Sequence, residues 1–391
     1  MERESVTPVE RDGEGSDMSK LPQDMKEMVF AKLSFQSIYG SRAVCKEWNS
    51  ILSSHNFLLS LPTQNPWLLI YGKKLDGNRY YMAYHFLAQK WMTLPLSFLP
   101  NLQRANVRDL SGWGQGLLLF QETPTPQLFI CNPLMRSYAE LKIKLTNKFI
   151  RIVQGGNKGP YLVVCPHSKN FSIKIYHYFQ DSWKIKLQFA AERGSNISGH
   201  RLREMVQCND ALFWMTLLPE TIVGYKIKDE GFINPVTVAP LPPEIVQPGG
   251  HILCIVSYGE SVLLVGSTRR ITTLQRLGRS PWLFRGIVIW ELFEDEGDEL
   301  VWKWKEFGRI PQQSIPQHLD PTSIGQCVCV GDYLCFSLVW SCESPPIFAY
   351  NLKGGFWQRL PPCTNHYLKQ MKMMSFEPKL NNYQFLGKSR E

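Results

Sequence analysis

Four cysteines toward the C-terminal end of the chain carry thiols, which could bind a soft metal ion. Cys327 and Cys329 stand in the run CVCV, and Cys335 and Cys342 follow downstream. Thiolates are preferred ligands of zinc and other soft ions. However, residues two apart on a strand share one face of the sheet, and CVCV comes directly before a Gly-Asp turn. The pattern therefore favours a buried strand whose thiols act as small apolar side chains.

Other motifs that could carry chemistry are incomplete. The Gly-rich run at residues 155–159 lacks the spacing and the following Ser or Thr of a phosphate-binding loop, so we interpret it as a tight turn between two strands. The sequence contains no His-Glu-x-x-His zinc motif and no Gly-x-Ser-x-Gly nucleophile motif, and its eight histidines have no paired spacing. We therefore expect no catalytic residues, no metal and no cofactor.

The composition is typical of a globular, β-rich protein. Of 391 residues, 44% are apolar, 20% are charged and 12% are aromatic. We find no run of eighteen uncharged apolar residues and no apolar core near the N-terminus, so we expect a soluble protein of the nucleus or cytoplasm, with reduced thiols and no membrane partner. The charged residues 1–19 are expected to be a disordered extension.

A net charge of +9 raises the question of nucleic-acid binding, because basic surfaces collect phosphates. The lysines and arginines are scattered through strand-like segments and are not gathered on one helix or tail. A nucleic-acid partner is therefore not expected.

The stretch from Leu21 to Leu58 has a helical pattern. Pro22 suits the first position of a helix, since its missing N–H costs nothing there and its φ is already helical. The apolar residues that follow recur at helical spacing and form one stripe: Met25, Met28, Val29 and Leu33. Three short helices over about forty residues bury too little surface to be robust alone. The pattern is typical of simple core packing and also of a module that needs a partner.

This stretch resembles the F-box, the helical module with which substrate receptors of cullin-type ubiquitin ligases hold a Skp-type adaptor. The matching residues occur in the family's order: Leu21, Pro22, Met25, Met28, Val29, Leu33, Arg42, Val44, Cys45, Lys46, Trp48 and Phe57. The resemblance implies adaptor contacts at eight positions: Leu21, Pro22, Met25, Val29, Leu33, Val44, Cys45 and Trp48. We expect Trp48 and Met28 to contribute also to the module's own core, with Ile51 as a supporting core position.

From Pro66 onward, strongly apolar strands recur along the chain. They begin at Pro66, Gly116, Pro160, Ala211, Ser261 and Asp332, at separations of 50, 44, 51, 50 and 71 residues. Each is followed by an alternating strand and then by a shorter element with an aromatic residue: Trp91, Tyr138, Trp183, Phe232, Trp302 with Trp304, and Trp357. A period near fifty residues is typical of kelch-type propeller blades.

The repeats also resemble the kelch-type repeats that follow F-boxes in many plant proteins. We therefore predict a mainly β chain, in which a kelch-like β-propeller of six blades follows a small three-helix F-box. The expected domains are the F-box at residues 20–60, a linker at 61–66 and the propeller at 67–391.

The first repeat lacks a strand that the other five possess. Those five have an apolar run ahead of the opening strand, for example Ala105–Leu110, whereas the first has only a Pro-rich connector. An open ring would expose a sheet edge. We therefore predict that a C-terminal segment, either Met371–Phe376 or Tyr383–Leu386, supplies the missing inner strand.

The longest interval between repeats locates an insertion in the fifth blade, from Ser267 to Leu283. It contains Arg269, Arg270, Arg276 and Arg279. These residues are interpreted either as a solvated hairpin tip or as a basic lip that binds an acidic or phosphorylated partner.

The F-box resemblance implies a non-catalytic subunit of an SCF-type ubiquitin ligase. Such a receptor binds a Skp-type adaptor, and through it a cullin–RING core, and holds a target protein so that ubiquitin transfer becomes effectively intramolecular. Two alternatives stay open. One is an F-box protein that acts as a scaffold or inhibitor without degradation, and the other is a propeller enzyme with a metal or carboxylate cluster at the ring's centre.

Overall fold

The computed structural model describes residues 18–380, apart from several gaps. The gaps are 34, 62–64, 75–78, 95, 100–107, 123–126, 142–149, 155–159, 165–170, 178–181, 190–204, 210, 218–219, 229–230, 247–250, 272–281, 296–300, 318, 320–323, 339–345 and 364–367. The disordered extension was expected at residues 1–19. Its residues 1–17, the Gly-rich turn at 155–159 and the alternative closing strand at 383–386 lie outside the described residues, whereas residues 18–19 belong to a 3-10 helix, so the expected disorder is wrong for these two. The chain divides into two compact units, Met1–Thr63 and Gln64–Glu391.

The first unit is helical. After a 3-10 helix at Met18–Lys20 come α1 (Gln23–Ala31), α2 (Phe35–Ser41), α3 (Lys46–Ser53) and α4 (His55–Ser60). Its buried apolar residues come from all four α-helices: Phe30, Ile38, Ile51, Leu52, Phe57 and Leu58.

Two details of the predicted helices are wrong. Pro22 has an extended ψ of 154° and lies just before α1 rather than at its first position. The described part of this unit has four α-helices instead of three, because Ser54 adopts an extended conformation that ends α3. The Ser54 hydroxyl then accepts a hydrogen bond from the Phe57 N–H at 3.3 Å, which caps the start of α4.

The second unit is built almost entirely of strands. In chain order they are β1 (Trp67–Lys74), β2 (Arg79–His85), β3 (Lys90–Thr93), β4 (Arg108–Gly114), β5 (Leu117–Glu122), β6 (Leu128–Asn132), β7 (Ser137–Leu141), β8 (Ile150–Gln154), β9 (Pro160–Val164), β10 (Phe171–His177), β11 (Ser182–Phe189), β12 (Met205–Cys208), β13 (Ala211–Leu217), β14 (Glu220–Lys228), β15 (Gly231–Pro240), β16 (His251–Tyr258), β17 (Ser261–Ile271), β18 (Trp282–Asp295), β19 (Val301–Pro311), β20 (Ile324–Val330), β21 (Tyr333–Leu338), β22 (Ile347–Asn351), β23 (Trp357–Arg359) and β24 (Leu368–Phe376). A short helix, α5 (Pro243–Val246), and a 3-10 helix at Gln312–Ser314 lie between strands.

These strands form repeated antiparallel sheets of four. The orders are β24-β1-β2-β3, β12-β13-β14-β15, β16-β17-β18-β19 and β20-β21-β22-β23, while β4 to β7 and β8 to β11 join into one sheet of eight. The join is a short parallel pairing of β4 with β8, Gly112 opposite Ile150 and Trp113 opposite Arg151. The mainly β, propeller-like prediction is confirmed. The number of six blades stays a prediction.

Successive side chains of one strand enter different cores, which explains the continuous apolar runs in the sequence. On β1, Leu69 packs with Phe120 of β5, whereas Leu68 packs in a second core with Cys335 of β21 and Ala349 of β22. The first sheet therefore packs against both the second sheet and the last one.

The C-terminal strand completes the first sheet. β24 pairs antiparallel with β1, from Trp67 opposite Phe376 to Lys74 opposite Leu368. The pairing predicted for Met371–Phe376 is therefore confirmed. Because β24 also contacts β20 of the last sheet, it lies where the two ends of the unit meet.

The fifth-blade insertion is not a loop along its whole length. Ser267 to Ile271 continue β17 and pair with β18, where Ile271 lies opposite Trp282. The ladder continues past a register shift between Thr268 and Arg269, so both strands are unusually long.

Candidate functional site

Helix α1 has two apolar faces, and they differ in exposure. Phe30 is 1% exposed and faces the core of the helical unit. Met25, Met28 and Val29 are 51%, 66% and 43% exposed. Positions i, i+3 and i+4 of a helix are neighbours on its surface, so these three side chains form one exposed stripe, here called the α1 stripe.

The α1 stripe is the main exposed apolar feature among the described residues of the helical unit. Among the described residues, four of the seven exposed large apolar side chains belong to the helical unit, namely Met25, Met28, Val29 and Val44. Contiguous apolar side chains left in water mark interaction sites more often than scattered ones. Methionine adapts its shape to the opposing surface, which suits a docking contact.

The opposite face of α1 is held by an ion pair and a ring contact with α3. The Lys26 ammonium lies 2.5 Å from the Glu47 carboxylate, and the Lys26 side chain is only 4% exposed. The Phe30 and Trp48 rings meet edge to face with centroids 4.9 Å apart. These contacts fix which face of α1 points inward, and they leave the α1 stripe outside.

The turn before α3 carries two more of the predicted contact residues. Val44 is 63% exposed, and Cys45 is exposed at the helix N-cap. The Cys45 Sγ accepts a hydrogen bond from the Trp48 N–H at 3.4 Å, so the thiol stands in for the usual hydroxyl cap. The Cys45 side chain therefore caps the helix at the surface and is not part of the core of the helical unit.

The remaining predicted contact residues belong to the same unit and differ in exposure. Pro22 is exposed, Leu21 and Leu33 are half-buried, and Trp48 is half-buried against Phe30. Ile51 is 4% exposed, as expected of a core residue.

The expectation that Met28 packs in the module's own core is wrong. The signal that would have separated the two faces of α1 is Phe30, which follows Lys26 by one helical turn and marks the inward face. Sequence reasoning did not use either residue. Arg42, one of the residues matched to the F-box family, donates from its guanidinium Nη2 to the Leu52 carbonyl at 2.6 Å and ties the α2–α3 turn to the end of α3.

The basic residues predicted to bind a substrate are only partly placed. Arg269 and Arg270 lie in β17, with backbones opposite Phe284 and Leu283 of β18. Arg276 and Arg279 lie outside the described residues.

The described cysteines among the four considered for metal binding lie in two different cores. Cys327 and Cys329 share one face of β20 in one core, as predicted, and Cys335 lies in another. Burial raises the pKa of the Cys329 and Cys335 thiols, which keeps them protonated. Cys342 lies outside the described residues, and in the described part of the chain no three His, Cys, Asp or Glu side chains gather as a metal site would require. None of the described helices is long and apolar enough to span a bilayer.

The helical unit matches a known domain family. The F-box domain family matches residues 18–60, which include the α1 stripe, the N-cap at Cys45 and all four α-helices.

Three relatives from Arabidopsis thaliana extend the comparison along the chain. F-box only protein 6 is 24% identical over 367 residues, covering 88% of this chain and 70% of the relative. An F-box/kelch-repeat protein is 23% identical over 397 residues, covering 93% of this chain and 89% of the relative. A protein named SKP1-interacting partner 15 is 28% identical over 147 residues, which is 33% of this chain and 39% of that protein. Residues 18–60 thus match the F-box domain family, and most of the chain is similar to F-box and F-box/kelch-repeat proteins of Arabidopsis thaliana.

Proposed function

We propose that this chain is the substrate-recognition subunit of an SCF-type ubiquitin ligase. The observation that carries the proposal is the α1 stripe, an exposed apolar surface on the very segment that matches the F-box family. In this role the helical unit binds a Skp-type adaptor, and the adaptor connects the chain to a cullin–RING core. A relative whose name describes it as a SKP1-interacting partner supports this assignment.

The chain contributes no bond chemistry in this mechanism. It holds a target protein near the ubiquitin-conjugating enzyme, and the high effective concentration promotes ubiquitin transfer and then degradation. The role requires the protein to act in the nucleus, the cytoplasm or both, where the ligase and the proteasome operate.

The β unit selects the target. We assign part of this selection to the fifth-blade insertion. Its four arginines, Arg269, Arg270, Arg276 and Arg279, attract an acidic or phosphorylated segment of the target. Replacing these four arginines with glutamine removes the charge while keeping similar side-chain length. Proteins that the wild-type chain captures and this variant does not capture are candidate targets. If both chains capture the same proteins, the fifth-blade insertion does not select the target.

The proposal is tested by replacing Leu21 and Pro22 with alanine in the full-length chain. We expect a Skp-type adaptor and a cullin to copurify with the wild type and to be lost from the variant, while the melting of the β unit is unchanged. A variant that still captures both proteins would contradict the proposed docking surface.

The degradative step needs its own measurement, because a scaffold or an inhibitor would also bind the adaptor. Targets captured by the wild type should accumulate when the chain is absent, and proteasome inhibition should raise them to the same level. Targets whose amounts respond to neither treatment would favour the non-degradative alternative.

A further inference from the structure

Two cysteines from neighbouring sheets meet inside the β unit. Cys254 lies on β16, the first strand of its sheet, and Cys327 lies on β20, the first strand of the next. They are 2% and 3% exposed and belong to one core, together with Val256 and Leu334. They stand 73 residues apart in sequence, so no local motif connects them.

The separation of the two sulfur atoms is the informative quantity. The Sγ atoms lie 2.7 Å apart. Non-bonded heavy atoms are at their optimum at about 3.5–4.0 Å, whereas a disulfide bond measures about 2.05 Å. The pair is therefore closer to bonding distance than to ordinary packing.

The same distance argues against a metal between the sulfurs. Two thiolates that bind a tetrahedral zinc ion at about 2.3 Å would lie about 3.8 Å from each other. The described residues also bring no group of three or more metal-binding side chains together.

We propose that Cys254 and Cys327 are an oxidative modification site, at which hydrogen peroxide converts two buried thiols into a disulfide that joins two sheets of the β unit. One thiolate attacks a peroxide oxygen, so the O–O bond breaks and a sulfenic acid forms while hydroxide leaves. The second thiolate then attacks the sulfenic sulfur, the S–S bond forms and a second hydroxide leaves. The two thiol protons convert both hydroxides into water, so that two thiols and one peroxide give one disulfide and two waters.

Cys329 provides an internal comparison. It lies two residues beyond Cys327 on the same face of β20 and is 7% exposed, yet its Sγ donates to the Gly331 carbonyl at 3.3 Å. Burial alone therefore does not decide which thiols react. The proposal predicts that Cys254 forms a bond with Cys327 and not with Cys329.

The direct test is peptide mapping of the full-length wild-type protein without reduction. The protein is treated with hydrogen peroxide in buffer, and also in urea just below the onset of unfolding so that the sheets open transiently. We expect a peptide pair that joins Cys254 to Cys327, with a mass two hydrogens below the sum of the free peptides. Oxidation of Cys45, which is exposed, shows that the oxidant was active.

Thermal unfolding gives a second readout. Closing a 73-residue span restricts the unfolded chain, so oxidation should raise the Tm of the wild type by about 5 °C. This rise should be absent in Cys254→Ala and in Cys327→Ala, and it should persist in Cys329→Ala. The proposal is overturned if Cys45 is oxidised in both solutions while no Cys254–Cys327 peptide forms, or if Cys329 is the residue that crosslinks.

Discussion

Gln326 and Met373 connect the last sheet of the β unit to the C-terminal strand. The Met373 N–H donates to the Gln326 Oε1 at 2.6 Å, and the Gln326 Nε2 donates to the Met371 carbonyl at 2.9 Å. The side chain of one residue on β20 thus satisfies a backbone donor and a backbone acceptor of β24. The two ends of the unit are held by these bonds as well as by their shared apolar core.

Replacing Gln326 with alanine should destabilise the β unit. Both bonds to β24 are lost, and leaving such backbone groups unsatisfied costs about 1–3 kcal/mol. Urea unfolding of the β unit measures this loss as a lower midpoint. Gln313→Ala is the matched control, since Gln313 is exposed on the 3-10 helix after β19. Equal midpoints for the two variants would show that the Gln326 bonds contribute nothing.

Removing the end of β24 should weaken the whole β unit. A chain that stops at Gln370 loses Met371 to Phe376, and with them the pairing to β1 from Trp67 to Tyr71. It also exposes Leu68 and Ile70, whose core includes Met373. A chain that stops at Leu380 keeps β24 and serves as the control. Identical melting of the shorter chain and the control would mean that β24 does not close the unit.

Gly114 permits the unusual parallel contact between β4 and β8. Its φ is +146°, and a Cβ at this position would lie 2.1 Å from the Ile152 carbonyl oxygen. Gly114→Ala should therefore push the two strands apart and cost about 1–3 kcal/mol of stability. Gly308→Ala is the control, because nothing lies within 4 Å of its added Cβ. Chemical denaturation of both variants measures this loss of stability. A Gly114 variant as stable as the Gly308 variant would contradict the close approach of Gly114 to the Ile152 backbone.

Cys208 should resist alkylation at neutral and mildly alkaline pH. Burial, with a smaller contribution from the charge of Glu260, raises the pKa of its thiol to about 11. The reactive thiolate is therefore scarce below pH 9 and increases only as the pH approaches that value. Mass spectrometry after iodoacetamide treatment from pH 7 to 9.5 measures the rate, with exposed Cys45 as the reference. Comparable rates at both residues across this range would contradict the shielded thiol.

The sequence predicted elements better than it predicted contacts between them. The opening strands of all six repeats were recognised because strands buried on both faces are continuously apolar, as in WLLIY of β1 and SVLLV of β17. The parallel contact at Gly114 was missed, since it depends on two backbones that meet only in the folded state. Cys254 and Cys327 were not paired for the same reason.

In the candidate site too, the helical elements were predicted better than the contacts between them. Helical periodicity identified the residues of the α1 stripe, but it could not decide whether Met28 faces the core or the solvent. That choice is made by Lys26, whose ammonium is buried against Glu47, and the two residues are 21 positions apart. Local patterns cannot show a charge pair between two helices at such a separation.

The α1 stripe is the proposed adaptor-binding surface. The most direct measurement is the Kd of the full-length chain for a purified Skp-type adaptor, determined by calorimetry for the wild type and for Met28→Glu with Val29→Glu. Both side chains are exposed, so the helical unit should stay folded, which circular dichroism checks. Leu87→Glu is the matched control, because Leu87 is a 76% exposed apolar residue of the β unit.

Placing two carboxylates in an apolar contact should weaken adaptor binding at least about 100-fold, or roughly 2.8 kcal/mol, while Leu87→Glu should bind like the wild type. Wild-type affinity in a correctly folded Met28→Glu and Val29→Glu variant would show that the α1 stripe is not the adaptor-binding surface.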